Sequence, residues 1–169
     1  MGAGDTSWVL VSAALVLIMT PGVAFFYGGM VRQKNVLSIM MQSFSSIMVV
    51  GMLWAIVEYS LAFAPGNPII GALSMTLNSM RDTVKTYAPD IPQLAQMVFQ
   101  AMFAVITPAL IIGAFAERVR YGPLLLFIAL WSLLVYAPVA HWVWGVDGWL
   151  HSMGMLDFAG GTVVHMAAG

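Results

Sequence analysis

The residue with the clearest potential for chemistry is His165, which lies in an apolar stretch near the end of the 169-residue chain. It follows Asp157 by eight positions, so a helix that begins at Asp157 would place the imidazole about 12 Å deep, near the midplane of a bilayer. An ionisable group at that depth normally faces a bundle interior or a pathway. His165 is therefore predicted to be a pore residue. The alternative is a buried neutral histidine bonded to a neighbouring helix.

Asp157 stands just before an apolar run of sequence Gly-Gly-Thr-Val-Val. A carboxylate at this position can accept hydrogen bonds from the first amides of a helix and complements the positive end of the helix dipole. This structural role is the favoured interpretation of Asp157. Its charge could also attract a cation without binding it directly.

Two aromatic side chains could contact a small cation. Trp144 lies beside His141 and Trp142 at the end of an apolar stretch, where aromatic belts occur in membrane proteins. An indole face also attracts a small cation, by roughly 0.5–2 kcal/mol, so both interpretations stay open. Phe103 lies about ten residues into another apolar stretch and could equally be ordinary packing. Gln100, one turn earlier, needs polar partners if it faces inward.

The sequence contains no recognisable catalytic constellation. The carboxylates are dispersed, the three histidines lack the spacing typical of helical metal sites, and no glycine-rich phosphate loop is present. Zero cysteines exclude a thiol nucleophile and thiolate metal ligands. The protein is therefore predicted not to be an enzyme, and no cofactor or metal is expected.

The elements that must position these residues are long apolar stretches. Hydrophobic residues make up 61% of the chain and charged residues 8%, whereas soluble proteins contain about 25% charged residues. Four stretches are long enough to cross a hydrocarbon core of about 30 Å, namely residues 7–31, 37–63, 93–119 and 121–144. A fifth runs over residues 157–169 and is expected to be a truncated helix. Because the stretches are continuously apolar, they predict an all-α, polytopic membrane protein rather than a β-barrel.

Charge placement predicts the orientation and the partners. Arg32 and Lys34 lie between the first two stretches, and Arg118 and Arg120 lie between the third and fourth. By the positive-inside rule these loops are cytoplasmic and the N-terminus is outside. Glu58 is predicted to lie near the outer end of the second stretch and to reach the interface. A net charge of −1 gives no basic surface for a nucleic acid. Because the long stretches are apolar, membrane lipid is the expected surrounding.

Five segments carry a resemblance to a known family. They are Met19-Thr-Pro-Gly-Val-Ala-Phe-Phe-Tyr-Gly-Gly-Met-Val-Arg-Gln-Lys-Asn35, Tyr59-Ser-Leu-Ala-Phe63, Phe99-Gln-Ala-Met-Phe103, Gly113-Ala-Phe-Ala-Glu-Arg118 and Asp157-Phe-Ala-Gly-Gly-Thr-Val-Val-His165. Together and in this order they resemble the Amt/MEP/Rh ammonium transporter family, and the microbial and plant members more than the Rh branch.

The resemblance implies roles for four residues. Phe103 matches a phenyl gate above the pore, and Trp144 matches an aromatic residue at the external cation site. His165 matches the first of two pore histidines, and Asp157 matches an acidic residue near the recruitment site. One departure concerns Glu58, which stands where the family usually has glycine.

The resemblance also implies a fold and a function. The family fold has eleven spans in an inverted five-plus-five repeat, so residues 1–169 correspond to the first repeat, truncated in helix five. The implied function is transport of ammonium or ammonia through an apolar pore, for nitrogen uptake, by a homotrimer in the cell membrane. A PII-type regulatory protein is an implied partner of the full-length protein. The alternative is an ammonium sensor or receptor built on the same scaffold.

Overall fold

The protein is described by a computed structural model over residues 2–74, 83–84 and 88–169. Its four longest helices are α1 (Ala3–Met30), α2 (Gln33–Phe63), α3 (Gln93–Phe115) and α4 (residues 121–144). Two short helical segments come after them, α5 (Trp149–Ser152) and α6 (Gly161–Met166). A small antiparallel pair, β1 (Thr83–Val84) and β2 (Ala88–Pro92), precedes α3. All four long helices are long and apolar enough to cross a membrane, as the predicted fold class requires.

The four helices run up and down through one bundle. α1 packs against α2 and α3, and α2 also packs against α3 and α4. One end of the bundle carries Trp144 and Asp157 and is called here the vestibule end. The other end carries Arg32 and Glu117 and is called the basic end.

Close packing of α1 against α3 depends on Gly113. Tyr27 of α1 donates a hydrogen bond to the carbonyl of Leu110 at 2.7 Å, and its ring lies over Gly113. A Cβ atom at position 113 would lie 2.6 Å from Cζ of Tyr27. The absence of a side chain therefore lets the two helices approach, as small residues do in membrane bundles.

The core at the α2–α4 contact is aromatic. Trp54 lies edge-on to Tyr59, Phe63 and Tyr136, with ring centroids 5.8, 6.1 and 6.1 Å away. Its indole N–H donates to the carbonyl of Met97 on α3 at 3.1 Å. All four rings are at most 2% exposed within this chain, so the chain buries this cluster by itself.

Both α2 and α4 contain a π-helical turn at their contact. The turns are Trp54–Glu58 in α2 and Ser132–Tyr136 in α4. A π-turn adds one residue to the helix and rotates the later residues by about 100°. Here the rotation directs Glu58 towards α4, where its carboxylate accepts a hydrogen bond from the Ser132 hydroxyl at 2.7 Å.

The prediction that Glu58 reaches the interface is therefore wrong. Glu58 is 0% exposed, because the π-turn and the hydroxyl of Ser132 hold it between the helices.

The helix ends differ from the predicted stretches by a few residues. α1 begins at Ala3 rather than at residue 7. α3 ends at Phe115 rather than at 119, because Glu117 adopts a left-handed backbone with φ of 64° and binds Arg32 and Asn35. Helical structure in the fifth stretch begins at Gly161 rather than at Asp157, since the intervening residues form the loop that the Asp157 carboxylate organises.

Candidate functional site at the vestibule end

An open cavity of about 340 Å³ lies at the vestibule end. Three of the four predicted site residues line it: Phe103 from α3, Trp144 from the end of α4, and Asp157 from the loop before α6. Gln96 and Gln100 of α3 add polar atoms to the same wall. The fold therefore brings together residues that are far apart in the sequence.

The aromatic wall of the cavity is held in one geometry. The Phe103 ring lies 5.8 Å from the Trp144 ring at an interplanar angle of 71°, and Phe99 lies 5.2 Å from Phe103 at 81°. These are edge-to-face contacts, which aromatic pairs prefer. The indole N–H of Trp144 donates to the backbone carbonyl of Asp157 at 2.9 Å. The hydrogen bond fixes the ring orientation and occupies its only donor, so the π face is what the indole can offer to a ligand.

Asp157 organises the start of the fifth segment. Its Oδ1 accepts hydrogen bonds from the amides of Gly160 and Gly161 at 2.7 and 2.9 Å. Its Oδ2 accepts from the amides of Thr162 and Val163 at 2.9 and 3.0 Å. Asp157 therefore caps the backbone amides at the start of α6, as predicted from the sequence.

These four amides also set the charge of Asp157. Partial burial raises the pKa of the carboxyl group, but the hydrogen bonds from the four amides outweigh it and leave the pKa below its ordinary value. Asp157 is therefore an anion at neutral pH and contributes negative charge to the cavity that it lines.

Gln100 is a candidate that sequence reasoning did not place in the site. Its Oε1 atom is buried and has no hydrogen-bond partner among the described residues. By contrast, Oε1 of Gln96 accepts a hydrogen bond from the Tyr59 hydroxyl at 2.6 Å. The signal in the sequence was only that a glutamine in an apolar span needs a partner. The structure shows that Gln100 lines the cavity together with Phe103 and Trp144.

His165 lies apart from this cavity. It is in the π-turn of α6, and its amide donates to the carbonyl of Gly160 at 2.9 Å. Val163 and Val164 are buried and anchor the turn, whereas the His165 side chain is exposed within this chain. Gly160 has φ of 89°, and a Cβ there would lie 2.5 Å from a methyl group of Val164, so this tight start of the turn requires glycine.

A second polar cluster lies at the basic end. Arg32 forms an ion pair with Glu117, with Nε 2.9 Å from Oε2, and Asn35 donates to Oε1 of Glu117 at 2.7 Å. The hydrogen bonds from Asn35 and from Arg32 hold the pKa of Glu117 below its ordinary value. In the described part of the chain no group of three or more histidine or carboxylate residues is placed to hold a metal ion.

The sequence matches known membrane proteins over nearly its whole length. The model of the Ammonium Transporter Family matches residues 7–169. An ammonium transporter of Bacillus subtilis is 55% identical over 170 residues, which cover 100% of this chain and 42% of that protein. An ammonium transporter of Mycobacterium tuberculosis is 46% identical over 191 residues, which cover 98% of this chain and 40% of that protein.

The fold matches solved structures of the same kind. The crystal structure of Candida albicans Mep2 superposes with a TM-score of 0.86 at 38% identity, over 98% of this chain and 36% of that chain. A structure described as a sensor Amt protein superposes with a TM-score of 0.85 at 27% identity, over 95% of this chain and 40% of that chain. The chain therefore spans less than half the length of these relatives.

Proposed function

Because the chain belongs to the Ammonium Transporter Family, we propose that it forms the cation-recruiting vestibule and the first half of a pore for ammonium or ammonia. The observation that carries this proposal is the convergence of Phe103, Trp144 and Asp157 on one cavity. The complete protein then acts as a multi-pass transporter of the cell membrane, with the N-terminus outside. It works in nitrogen uptake as a homotrimer, with a PII-type protein as a regulatory partner.

The first step is recruitment of the ammonium cation. A bare cation that enters hydrocarbon loses its hydration at an idealised cost of order 20 kcal/mol, so the vestibule must supply substitutes for water. The π face of Trp144 attracts the cation, and Gln100 adds a polar side chain to the lining of the same cavity. Asp157 adds a negative potential, although its two oxygens are already occupied by amides.

The second step moves the substrate past the aromatic wall. Phe103 and Phe99 form part of the cavity wall, and we propose that Phe103 acts as an aromatic gate that admits neutral ammonia more readily than an ion. The ammonium ion therefore transfers a proton to water in the open cavity before ammonia passes Phe103, and the proton crosses separately from the ammonia. His165 then lines the pore beyond the gate, where a neutral imidazole offers one donor and one acceptor.

A sensor of ammonium is the second candidate function. The structural match to a sensor Amt protein, with a TM-score of 0.85, supports the view that one scaffold can serve in transport or in sensing. The two functions share the same vestibule and differ in what the complete protein carries beyond these residues. Six further spans and a short tail would favour a transporter, and an appended signalling domain would favour a sensor.

The proposal is tested at Trp144 in the complete protein. We expect Trp144→Leu to raise the apparent KM for methylammonium uptake by about 2–30-fold, the equivalent of roughly 0.5–2 kcal/mol of cation–π attraction. Trp149→Leu, at an exposed indole of α5, is the matched control and should leave uptake unchanged. Unchanged uptake in both variants would contradict a recruiting role for Trp144.

A further inference from the structure

Glu58 carries a carboxyl group that the proposed transport steps do not use. It lies five residues before the end of α2 at Phe63 and is 0% exposed. That burial is produced by this chain alone. A buried ionisable group in a membrane helix is normally paired or functional.

The hydrogen bonds of Glu58 are incomplete. Oε1 accepts from the Ser132 hydroxyl at 2.7 Å. Oε2 is buried and has no hydrogen-bond partner among residues 2–74, 83–84 and 88–169. Across the same helix contact, the hydroxyl of Tyr136 is also buried and lacks a partner in the described chain.

No cation balances a charge on Glu58 in the part of the chain that the structure describes. The ion pair found there joins Arg32 and Glu117 at the basic end. α3 contains no lysine, arginine, histidine or acidic residue. The titratable residues of α4 are Tyr121, Tyr136 and His141.

His141 is already occupied by the backbone. Its ring nitrogens lie 3.0 Å from the carbonyl of Ala62 and 2.9 Å from that of Asn67. Among the described residues, the hydrogen-bond partner of the Glu58 carboxyl group is the neutral hydroxyl of Ser132.

A carboxylate anion does not fit these surroundings, because it would be desolvated without a compensating charge. A neutral carboxylic acid fits them: Oε1 keeps the hydrogen bond from Ser132, and a proton on Oε2 turns the partnerless atom into a donor.

From this geometry we infer that Glu58 is a proton-binding site inside the membrane, held between the π-turns of α2 and α4. The site takes a proton as its only ligand. The proton removes the charge from a helix contact that supports the outer part of α4, which ends at Trp144, so ionisation of Glu58 would loosen the support of the vestibule. This inference rests on helix packing and does not depend on the proposed function.

Infrared spectroscopy of the complete protein tests the protonation state directly. A protonated carboxyl group has a C=O stretching band separate from those of carboxylates and amides. We expect the wild type at neutral pH to show such a band, Glu58→Gln to lack it, and Ser132→Ala to shift it, because Ser132 donates to Oε1. If the wild-type and Glu58→Gln spectra show no difference in this region, and Ser132→Ala shifts nothing, the inference is wrong.

The pH dependence of unfolding gives a second, independent readout. An unfolded glutamate ionises above pH of about 4.3, whereas the folded protein would keep the proton on Glu58. Above that pH the wild type should therefore lose stability relative to Glu58→Gln. The ratio of their unfolding equilibrium constants should rise about tenfold per pH unit until Glu58 ionises in the folded protein as well. Parallel profiles between about pH 5 and 8 would overturn the inference, and transport activity plays no part in either measurement.

Discussion

At the residue scale, Asp157 connects the vestibule to the segment that carries His165. Its side chain holds four amides at the start of that segment, and its carbonyl accepts the indole N–H of Trp144. One residue thus positions both the aromatic face proposed to recruit the cation and the helix proposed to line the pore.

Replacing Asp157 with asparagine should weaken this connection. The asparagine side chain would present its NH₂ group to backbone donors, so Asp157→Asn is expected to cost about 0.5–2 kcal/mol, as the loss of a helix cap does. Because the pKa of Asp157 is lowered in the folded state, its stabilisation is present above the unfolded pKa of about 3.9 and is lost as pH falls through the folded pKa.

Thermal unfolding of the full-length protein as a function of pH measures this effect. The difference between the wild type and Asp157→Asn should shrink as the solution becomes acidic. A difference that stays constant from about pH 7 to about pH 2 would argue that the carboxylate charge is unimportant.

Replacing His165 with leucine tests the proposed pore role. Leucine fills a similar space but removes both the donor and the acceptor of the imidazole. We expect His165→Leu to fold and insert normally in the complete protein and to lose proton-coupled ammonium current. His151→Leu, at an exposed histidine of α5, serves as the control. Wild-type current in His165→Leu at normal expression would show that His165 only packs.

At the element scale, Gly113 sets the distance between α1 and α3. Gly113→Ala would place a methyl group 2.6 Å from Cζ of Tyr27, and the helices must separate or the ring must move. Such overpacking typically costs about 1–3 kcal/mol. Gly122→Ala is the matched control, because nothing lies within 4 Å of a Cβ at that position of α4.

The melting temperatures of both variants test whether Gly113 stabilises the packing of α1 against α3. Gly113→Ala should melt below the wild type, and Gly122→Ala should melt at or above it, since alanine favours a helix. If Gly113→Ala is as stable as the control, close approach at this glycine does not hold the bundle together.

The sequence was a good guide to elements that depend on local pattern. Long apolar stretches predicted the four spans, and the position of Asp157 before Gly-Gly-Thr predicted its capping role, because both features involve residues close in the chain. The burial of Glu58 could not be predicted in this way. A π-turn changes which face of α2 the residue occupies, and Ser132, its partner, lies 74 positions away.

The end of α3 was missed for a related reason. Hydropathy extends the span to residue 119, but the left-handed backbone of Glu117 ends the helix earlier. That conformation is coupled to contacts with Arg32 and Asn35, which are distant in sequence. The place of Gln100 in the site likewise could not be predicted, because it depends on the packing of α3 against the end of α4.

At the scale of the whole molecule, the proposed orientation can be measured. The basic end carries Arg32 and Arg118, and the positive-inside rule places it in the cytoplasm. Single cysteines introduced at Gln33 and Ser152 occupy exposed positions at opposite ends, and this chain has no cysteine of its own.

A membrane-impermeant thiol reagent added to intact cells should label Ser152→Cys and not Gln33→Cys. After the cells are opened, both should react. Labelling of Gln33→Cys in intact cells would reverse the orientation and move the vestibule to the cytoplasmic side.

The aromatic cluster around Trp54 bears on how the protein is made. Ribosomes add about 5–20 residues per second, so Met97, which accepts the indole N–H of Trp54, is synthesised about 2–9 s after Trp54. Tyr136 follows Trp54 by about 4–16 s. Until these partners are made, the Trp54 indole lacks its acceptor and Glu58 lacks the hydroxyl of Ser132. Assembly of the first four helices thus contains a waiting period of several seconds.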